Sequence, residues 1–227
     1  MRGCFVTGTG TEVGKTVVAA AVAATLRSRG ERVAAFKPVV TGLDDPIDAD
    51  WPADHELLAA AAGMPDPEVV APLRFGPAVS PHLAAELAGT TIRPAALLAA
   101  VRRARAGADV LVVEGVGGPL VPLAAAYTVR DLAVDLGLPV IAAAAPGLGT
   151  INHTLLTLEA LRHAGLHVVG VVMTPWPPEP ARLERSNRET VARMGDVEVA
   201  VLPTLARAEP ALLAAAGAAL PLERWLR

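Results

Sequence analysis

Lysine is nearly missing from this sequence. Of the 20 basic residues only Lys15 and Lys37 are lysine; the rest are arginine. A chain that solvates its surface with arginine has no general need of lysine, so the two ammonium groups point to chemistry at their own positions. Cysteine is as scarce: Cys4 stands alone and cannot close an internal disulfide, and no Cys/His cluster has zinc-finger spacing. Aromatic residues make up 3% of the chain and the net charge is −3, so the basic footprint and stacking platform of a dedicated nucleic-acid binder are both missing. A membrane span needs about 20 apolar residues. The longest apolar stretches, at 136–149 and 210–222, are alanine-rich and broken by Gly and Pro, and the apolar start of the chain is too short for a signal peptide. These absences imply a soluble, cytoplasmic protein without nucleic-acid or membrane partners.

What is present is enough apolar material for a sizeable core: 52% of 227 residues. Continuous apolar runs at 3–7, 32–36, 109–113, 138–143, 167–173 and 197–202 read as strands covered on both faces. Between them lie helical patterns near 15–29, 54–62, 94–106, 128–136, 150–164 and 180–194. Gly30, Gly107, Gly137, Gly165 and Gly195 sit just past candidate helices, where a left-handed cap is wanted. Such alternation predicts βαβ units, hence a three-layer α/β fold with a mostly parallel sheet between helices. The Pro-rich run from Pro175 to Pro180 reads as a stiff loop at the end of the sheet, and residues 1–227 as one domain. In such a fold ligands bind outside the carboxyl ends of the strands.

After the first strand comes Gly8-Thr9-Gly10-Thr11-Glu12-Val13-Gly14-Lys15-Thr16, then an apolar helix. Glycines let the backbone curl until N–H groups face phosphate oxygens, and the helix N-terminus adds its amides and dipole. Lys15 can reach the β- and γ-phosphates of a nucleotide, and the Thr16 hydroxyl can ligate Mg²⁺. The commonest spacing would need Gly at position 9, which is Thr; here five residues separate Gly8 from Gly14. The strand at 32–36 delivers Lys37, placed for a second ammonium on the γ-phosphate. The strand at 109–113 runs into Glu114-Gly115-Val116-Gly117-Gly118, an acid of the kind that anchors a metal, followed by glycines that let the chain pass close to phosphates. Asp54 is either the N-cap of the helix it precedes or a further Mg²⁺ ligand, and Asp48 and Asp50 compete for the second role.

Together these pieces resemble the dethiobiotin synthetase family. The resemblance rests on Val6-Thr7-Gly8-Thr9 with Thr11 to Thr16, Lys37-Pro38-Val39 with Thr41-Gly42, Ser80-Pro81-His82, Val113-Glu114-Gly115 with Gly117-Gly118, and Gly149-Thr150-Ile151-Asn152-His153, in that order. It implies a P-loop NTPase-like fold, and an ATP-dependent ligase that closes a cyclic urea on 7,8-diaminononanoate with CO₂ through a carbamate and a carbamic–phosphoric anhydride. By the same resemblance Lys37 is catalytic, and Thr16, Asp54 and Glu114 organise Mg²⁺. Glu12, Val13, Gly14, Lys15, Thr16 and Val17, with Asp54, Glu114, Gly115, Val116 and Gly117, hold the nucleotide. Thr11, Thr41 and Asn152 contact the substrate. The amides of the Gly149–Asn152 turn take its distal carboxylate from the neighbouring subunit, so a homodimer is implied. His153 and His82 are assigned no role.

One position departs from the family pattern. Where many members carry Asn and then Asp for the base, this chain has Thr174-Pro175. Thr174 and the segment Pro203-Thr204-Leu205 flank the base, and other nucleoside triphosphates beside ATP stay open. A rival reading is a partition- or division-site-type ATPase that switches on a macromolecular partner. Those proteins carry a signature lysine where this chain has Thr9. A corrinoid amide-forming synthetase would be expected to continue into a glutaminase domain with a nucleophilic Cys.

Overall fold

The computed structural model of the chain describes residues 2–46 and 50–226. Strands β1 (Gly3–Gly8), β2 (Val33–Phe36), β5 (Val110–Glu114), β8 (Val140–Ala144), β9 (Val168–Trp176) and β10 (Val199–Pro203) form one six-stranded sheet in the order β10-β9-β8-β1-β5-β2. All its pairings are parallel. The remaining strands form two short ribbons, β3 (Val39–Val40) with β4 (Leu73–Arg74) and β6 (Pro122–Ala124) with β7 (Tyr127–Thr128). The helices are α1 (Lys15–Ser28), α2 (Asp54–Ala62), α3 (Pro67–Val70), α4 (Pro81–Leu87), α5 (Pro94–Ala104), α6 (Val129–Leu136), α7 (Thr150–His163), α8 (Arg182–Gly195), α9 (Pro210–Gly217) and α10 (Leu222–Trp225).

The central strands are apolar on both sides because both faces are covered. Cys4, Val6 and Val112 join the core under α1, α2 and α9, while Phe5, Leu111 and Val113 join the core under α5 and α6. Helix α1 is buried from Val18 to Leu26. Its alanines leave room for α9 to come so close that a Cβ on Gly217 would lie 2.7 Å from the Ala21 carbonyl oxygen, and Thr25 donates to the Ala214 carbonyl at 3.1 Å. The alanine-rich run after residue 210 is therefore a packing helix. Among the described residues no helix is long and apolar enough to cross a membrane.

The chain first builds the β5-β2 side of β1 and then crosses to the β8-β9-β10 side. The direction of winding reverses at β1, and the crevice this opens lies at the carboxyl ends of the strands. β1 ends there in Gly8, β5 in Glu114, and β2 one residue before Lys37.

Three local expectations are corrected. Gly195 does not cap α8: it is the helix's last residue, and Asp196 takes the left-handed cap at φ 42°. The glycine is needed for packing instead, since a Cβ there would meet Leu158 at 2.7 Å. Pro175 and Trp176 lie within β9 and not in a loop; the β9-β10 register shifts beside them, the kind of irregularity at which a sheet tolerates proline. Asp54 is not an N-cap: Ala53 holds that position, and the Glu56 carboxylate accepts the Ala53 N–H at 3.2 Å.

Candidate active site

The loop from Gly8 to Gly14 folds around the entrance of α1. Gly14 has φ 80°, a left-handed backbone that disfavours any side chain, and a Cβ there would lie 2.3 Å from the Thr174 methyl. Glu12 is also left-handed, at φ 59°. Gly8 must lack a side chain because Val13 and Lys15 close over it at 2.6 and 2.8 Å from a would-be Cβ. Lys15 bends back across the loop and donates to the Gly10 carbonyl at 2.8 Å. Its ammonium lies below its ordinary pKa, chiefly through burial, with Glu114 opposing and Lys37 reinforcing.

The neighbouring strand ends supply the charges. β5 pairs with β1 so that Glu114 stands opposite Val6, and the Gly115 N–H donates to the Val6 carbonyl at 2.8 Å. This fixes Glu114 where it is wholly buried. Lys37, 5% exposed, donates to Glu114 Oε1 at 2.6 Å and to Asp54 Oδ2. Burial alone would lower the Lys37 ammonium, but Glu114 and Asp54 outweigh it and hold Lys37 above its ordinary value. Burial pushes the Glu114 carboxyl up, with Lys37 pulling it back. Burial pushes Asp54 up as well, yet Lys37 and Thr16 hold it below the usual carboxylate value.

The Thr16 hydroxyl lies 3.0 Å from Asp54 Oδ1 and 2.9 Å from Glu114 Oε1. One hydroxyl proton cannot serve two acceptors, so lone pairs converge there. Glu114 Oε2 is buried with no hydrogen-bond partner among the described residues. Hydroxyl and carboxylate oxygens gathered in this way suit a hard divalent cation completed by phosphate oxygens and water. Asp50 is engaged elsewhere, 3.7 Å from the Arg207 guanidinium, and Asp48 lies outside the described residues. Of the two described acids, Asp50 and Asp54, the structure brings Asp54 to Thr16.

Lys15, Thr16, Lys37, Asp54 and Glu114 thus form one cluster. Gly115 is buried against Val129 and Phe5, and Gly117 takes φ 60°; a Cβ on Gly118 would approach the Gly8 carbonyl to 3.5 Å, so these two loops run side by side. Val13, Val17 and Val116 are partly buried around them. On the other side of the P-loop, Thr174 is buried against Gly14, and Pro203 pairs with Trp176 while the Thr204 N–H donates to the Trp176 carbonyl at 3.1 Å. Pro203 and Thr204 are exposed; Leu205 packs on the core.

A cavity of about 520 Å³ opens beside the cluster, between the P-loop (Thr9 to Thr11), the Gly118–Pro122 segment and α7. Thr11 lines it; Thr41 is half-buried after β3, and Asn152 is exposed in the first turn of α7, outside the charged cluster. The cavity's far wall is His153, which the sequence reading named without a role, with Leu156, Thr157 and Ala160, which it did not single out. Its signal was their three- and four-residue spacing, one face of a helix.

A family model described as an AAA domain matches residues 2–211. The ATP-dependent dethiobiotin synthetase of Anaeromyxobacter dehalogenans is 42% identical over 205 residues, 89% of this chain and 90% of its own. The enzymes of that name from Mycolicibacterium gilvum and Pseudomonas aeruginosa are 43% and 40% identical, covering 86% and 95% of this chain and 84% and 95% of theirs. Similarity at this level across most of both partners, over a P-loop that leads into a lysine–carboxylate cluster, means that the chain belongs to the dethiobiotin synthetase family.

Proposed function

We propose that this protein is the ligase that makes dethiobiotin from 7,8-diaminononanoate, CO₂ and ATP in biotin biosynthesis, releasing ADP and phosphate. The observation that carries the reading is the meeting of Lys37 with Glu114 and Asp54 beside Lys15 and Thr16. It puts two ammonium groups and a cation-ready set of oxygens at the place where the P-loop would present a γ-phosphate.

In the sequence of steps, one amine of the substrate captures CO₂ as a carbamate. A carbamate oxygen attacks the γ-phosphorus and ADP leaves. The second amine then attacks the carbonyl carbon of the mixed anhydride, and the C–O bond to phosphate breaks as the ring closes. None of these steps needs a covalent bond to the protein, in keeping with a lone cysteine buried in β1. Catalysis rests on positioning and on charge stabilisation. Lys37 is the catalytic residue: its ammonium faces the transferring phosphoryl and the carbamate. Lys15 and the amides from Glu12 to Val17 hold the phosphates, with Gly115 to Gly117 alongside. Thr16, Asp54 and Glu114 would hold Mg²⁺, which neutralises phosphate charge when bound. Thr174, Pro203, Thr204 and Leu205 line the base.

The diamine end of the substrate lies at Thr11 and Thr41, and its aliphatic chain runs along the apolar cavity. Its carboxylate meets the N-terminal turn of α7, at Gly149 to Asn152, from a second copy of the chain; the working enzyme is a homodimer. A reaction that consumes ATP and bicarbonate-derived CO₂ belongs in the cytoplasm. The partner-switched ATPase reading has no comparable support, since Thr9 occupies the place of its signature lysine.

The test is phosphate release from Mg²⁺-ATP and bicarbonate, with and without the diamine, and mass spectrometry of the product. Release that depends on the diamine and matches cyclic-urea formation mole for mole is expected. Release indifferent to the diamine would overturn the reading.

A further inference from the structure

Asn187 is the polar member of the inward face of α8, which also buries Val191 and Gly195. Five per cent of Asn187 is exposed, and its side-chain amide donates to two consecutive backbone carbonyls, Pro146 at 2.9 Å and Gly147 at 3.0 Å. Both belong to the loop that joins β8 to α7, 40 residues or more away in sequence.

The consequence follows from peptide geometry. In a trans peptide the carbonyl of one residue and the N–H of the next point in opposite directions. Turning the Pro146 and Gly147 carbonyls towards α8 therefore turns the Gly147 and Leu148 N–H groups away from it. The loop then enters α7 through Gly149 at φ 90°. The N–H groups of Ile151 and Asn152, within the first turn of α7, have no carbonyl of their own helix to reach. Thr150 donates instead to the Gly147 carbonyl at 3.3 Å, the same carbonyl that Asn187 holds. Successive amides facing one way make an anion-binding concavity.

We propose that Asn187 is a positioning residue for the substrate carboxylate: by fixing two carbonyls it aims the Gly147 and Leu148 amides outward, beside those of the α7 N-terminus, at the carboxylate of the diamine bound to the neighbouring copy. The inference rests on the assignment of the carboxylate to this turn. Asparagine suits the task because one side-chain NH₂ carries two donors. Aspartate would set a negative charge against two carbonyl oxygens, and serine would supply one donor where two are used.

The test compares 7,8-diaminononanoate with the corresponding diamine that lacks the carboxylate, on the wild type and on Asn187→Ala, Asn187→Ser and Asn187→Asp. For the carboxylate-bearing substrate KM should rise at least tenfold, most in Asn187→Asp, with kcat and the KM for ATP within about twofold of wild type. For the carboxylate-free diamine, which binds weakly to every form, the variants should match the wild type. A purely structural role would move both substrates together; that result, or an unchanged KM in a folded variant, overturns the proposal. If Asn187→Ala does not fold, by circular dichroism, Asn187→Ser decides alone. A wild-type enzyme that ignores 7,8-diaminononanoate would instead remove the functional reading, so the two failures are distinct.

Discussion

Lys37 and Glu114 stand at the ends of adjacent strands, where Phe36 pairs with Val113, and their charges meet at 2.6 Å in a place almost closed to water. The sheet register alone brings them together. Neither charge is sustainable there without the other, since removing one partner of a buried pair costs about 3–5 kcal/mol.

The choice of substitution at Lys37 therefore separates chemistry from folding. Lys37→Gln keeps a donor for Glu114 and loses the positive charge. Dethiobiotin formation should fall by two orders of magnitude or more, about 3 kcal/mol in the barrier, while circular dichroism and nucleotide affinity stay near wild type. Lys37→Leu should also lower the unfolding midpoint, because Glu114 is then left alone. Undiminished product from Lys37→Gln would remove this residue from the mechanism.

The crowding of oxygens around Thr16 makes a second expectation. Asp54→Asn keeps the shape and removes one negative charge from the proposed cation position. The Mg²⁺ concentration for half-maximal activity should rise at least tenfold, and saturating Mg²⁺ should recover much of the rate. Chelation of divalent ions should abolish turnover in the wild type and addition of Mg²⁺ restore it. An unchanged Mg²⁺ requirement in Asp54→Asn would exclude Asp54 as a ligand.

Gly14 and Thr174 test the backbone of the P-loop. Gly14→Ala meets two penalties: a left-handed φ of 80° and a methyl contact at 2.3 Å with Thr174. Together they should cost about 2–4 kcal/mol in stability or an equivalent loss of ATP affinity. Thr174→Ser removes the clashing methyl and nothing else, so the double variant should recover the clash but not the φ penalty. Urea unfolding and ATP titration of the four forms give the coupling directly. Simple additivity would mean that the loop moves aside.

Much of this was readable beforehand, for identifiable reasons. The strands of the large sheet announced themselves because cover on both faces demands unbroken apolar runs such as Val110 to Val113. Lys37 stood out because lysine is so rare, and Glu114 because an acid directly after an apolar strand, in a chain with a P-loop, is the kind that anchors a metal. The choice between Asp50 and Asp54 was not readable, since it depends on how the start of α2 sits against Thr16 of α1. The cavity wall on α7 was hidden too: His153, Leu156 and Ala160 look like any helix face until the Gly118–Pro122 segment is seen opposite. The role of Gly195 was lost for a similar reason, its neighbour Leu158 being on another helix.

Cys4 offers a pH-dependent reading of the core. It lies in β1, fully buried, and burial pushes its thiol up from 9.0 to about 12. Between those values the unfolded chain has lost the thiol proton and the native chain keeps it. The native state then binds more protons, so this group makes stability fall as pH rises from about 9 towards 12, by at most about 1.4 kcal/mol per pH unit. Cys4→Ala should flatten that decline in the unfolding free energy. In the native protein at pH 8 a thiol reagent should label Cys4 only at the rate of unfolding; fast labelling would show that β1 opens to solvent.

The proposal of a site shared between two copies can be tested without a structure of the assembly. Leu148 is 92% exposed at the turn before α7, and Leu156 and Leu120 are each 56% exposed at the cavity. Such leucines would gain by contact with a second copy; if the proposed homodimer forms through them, Leu156→Glu should shift the chain to monomer in sedimentation. A stronger arm mixes two inactive chains. Lys37→Gln lacks the ammonium proposed as catalytic, and Asn152→Leu disturbs the turn proposed to serve the neighbour. In a mixed dimer one site keeps both Lys37 and an intact turn. Refolding the two variants together at equal amounts should recover about a quarter of wild-type activity, since half the dimers are mixed and each holds one complete site of two. If each protomer built its whole site alone, mixing would recover nothing.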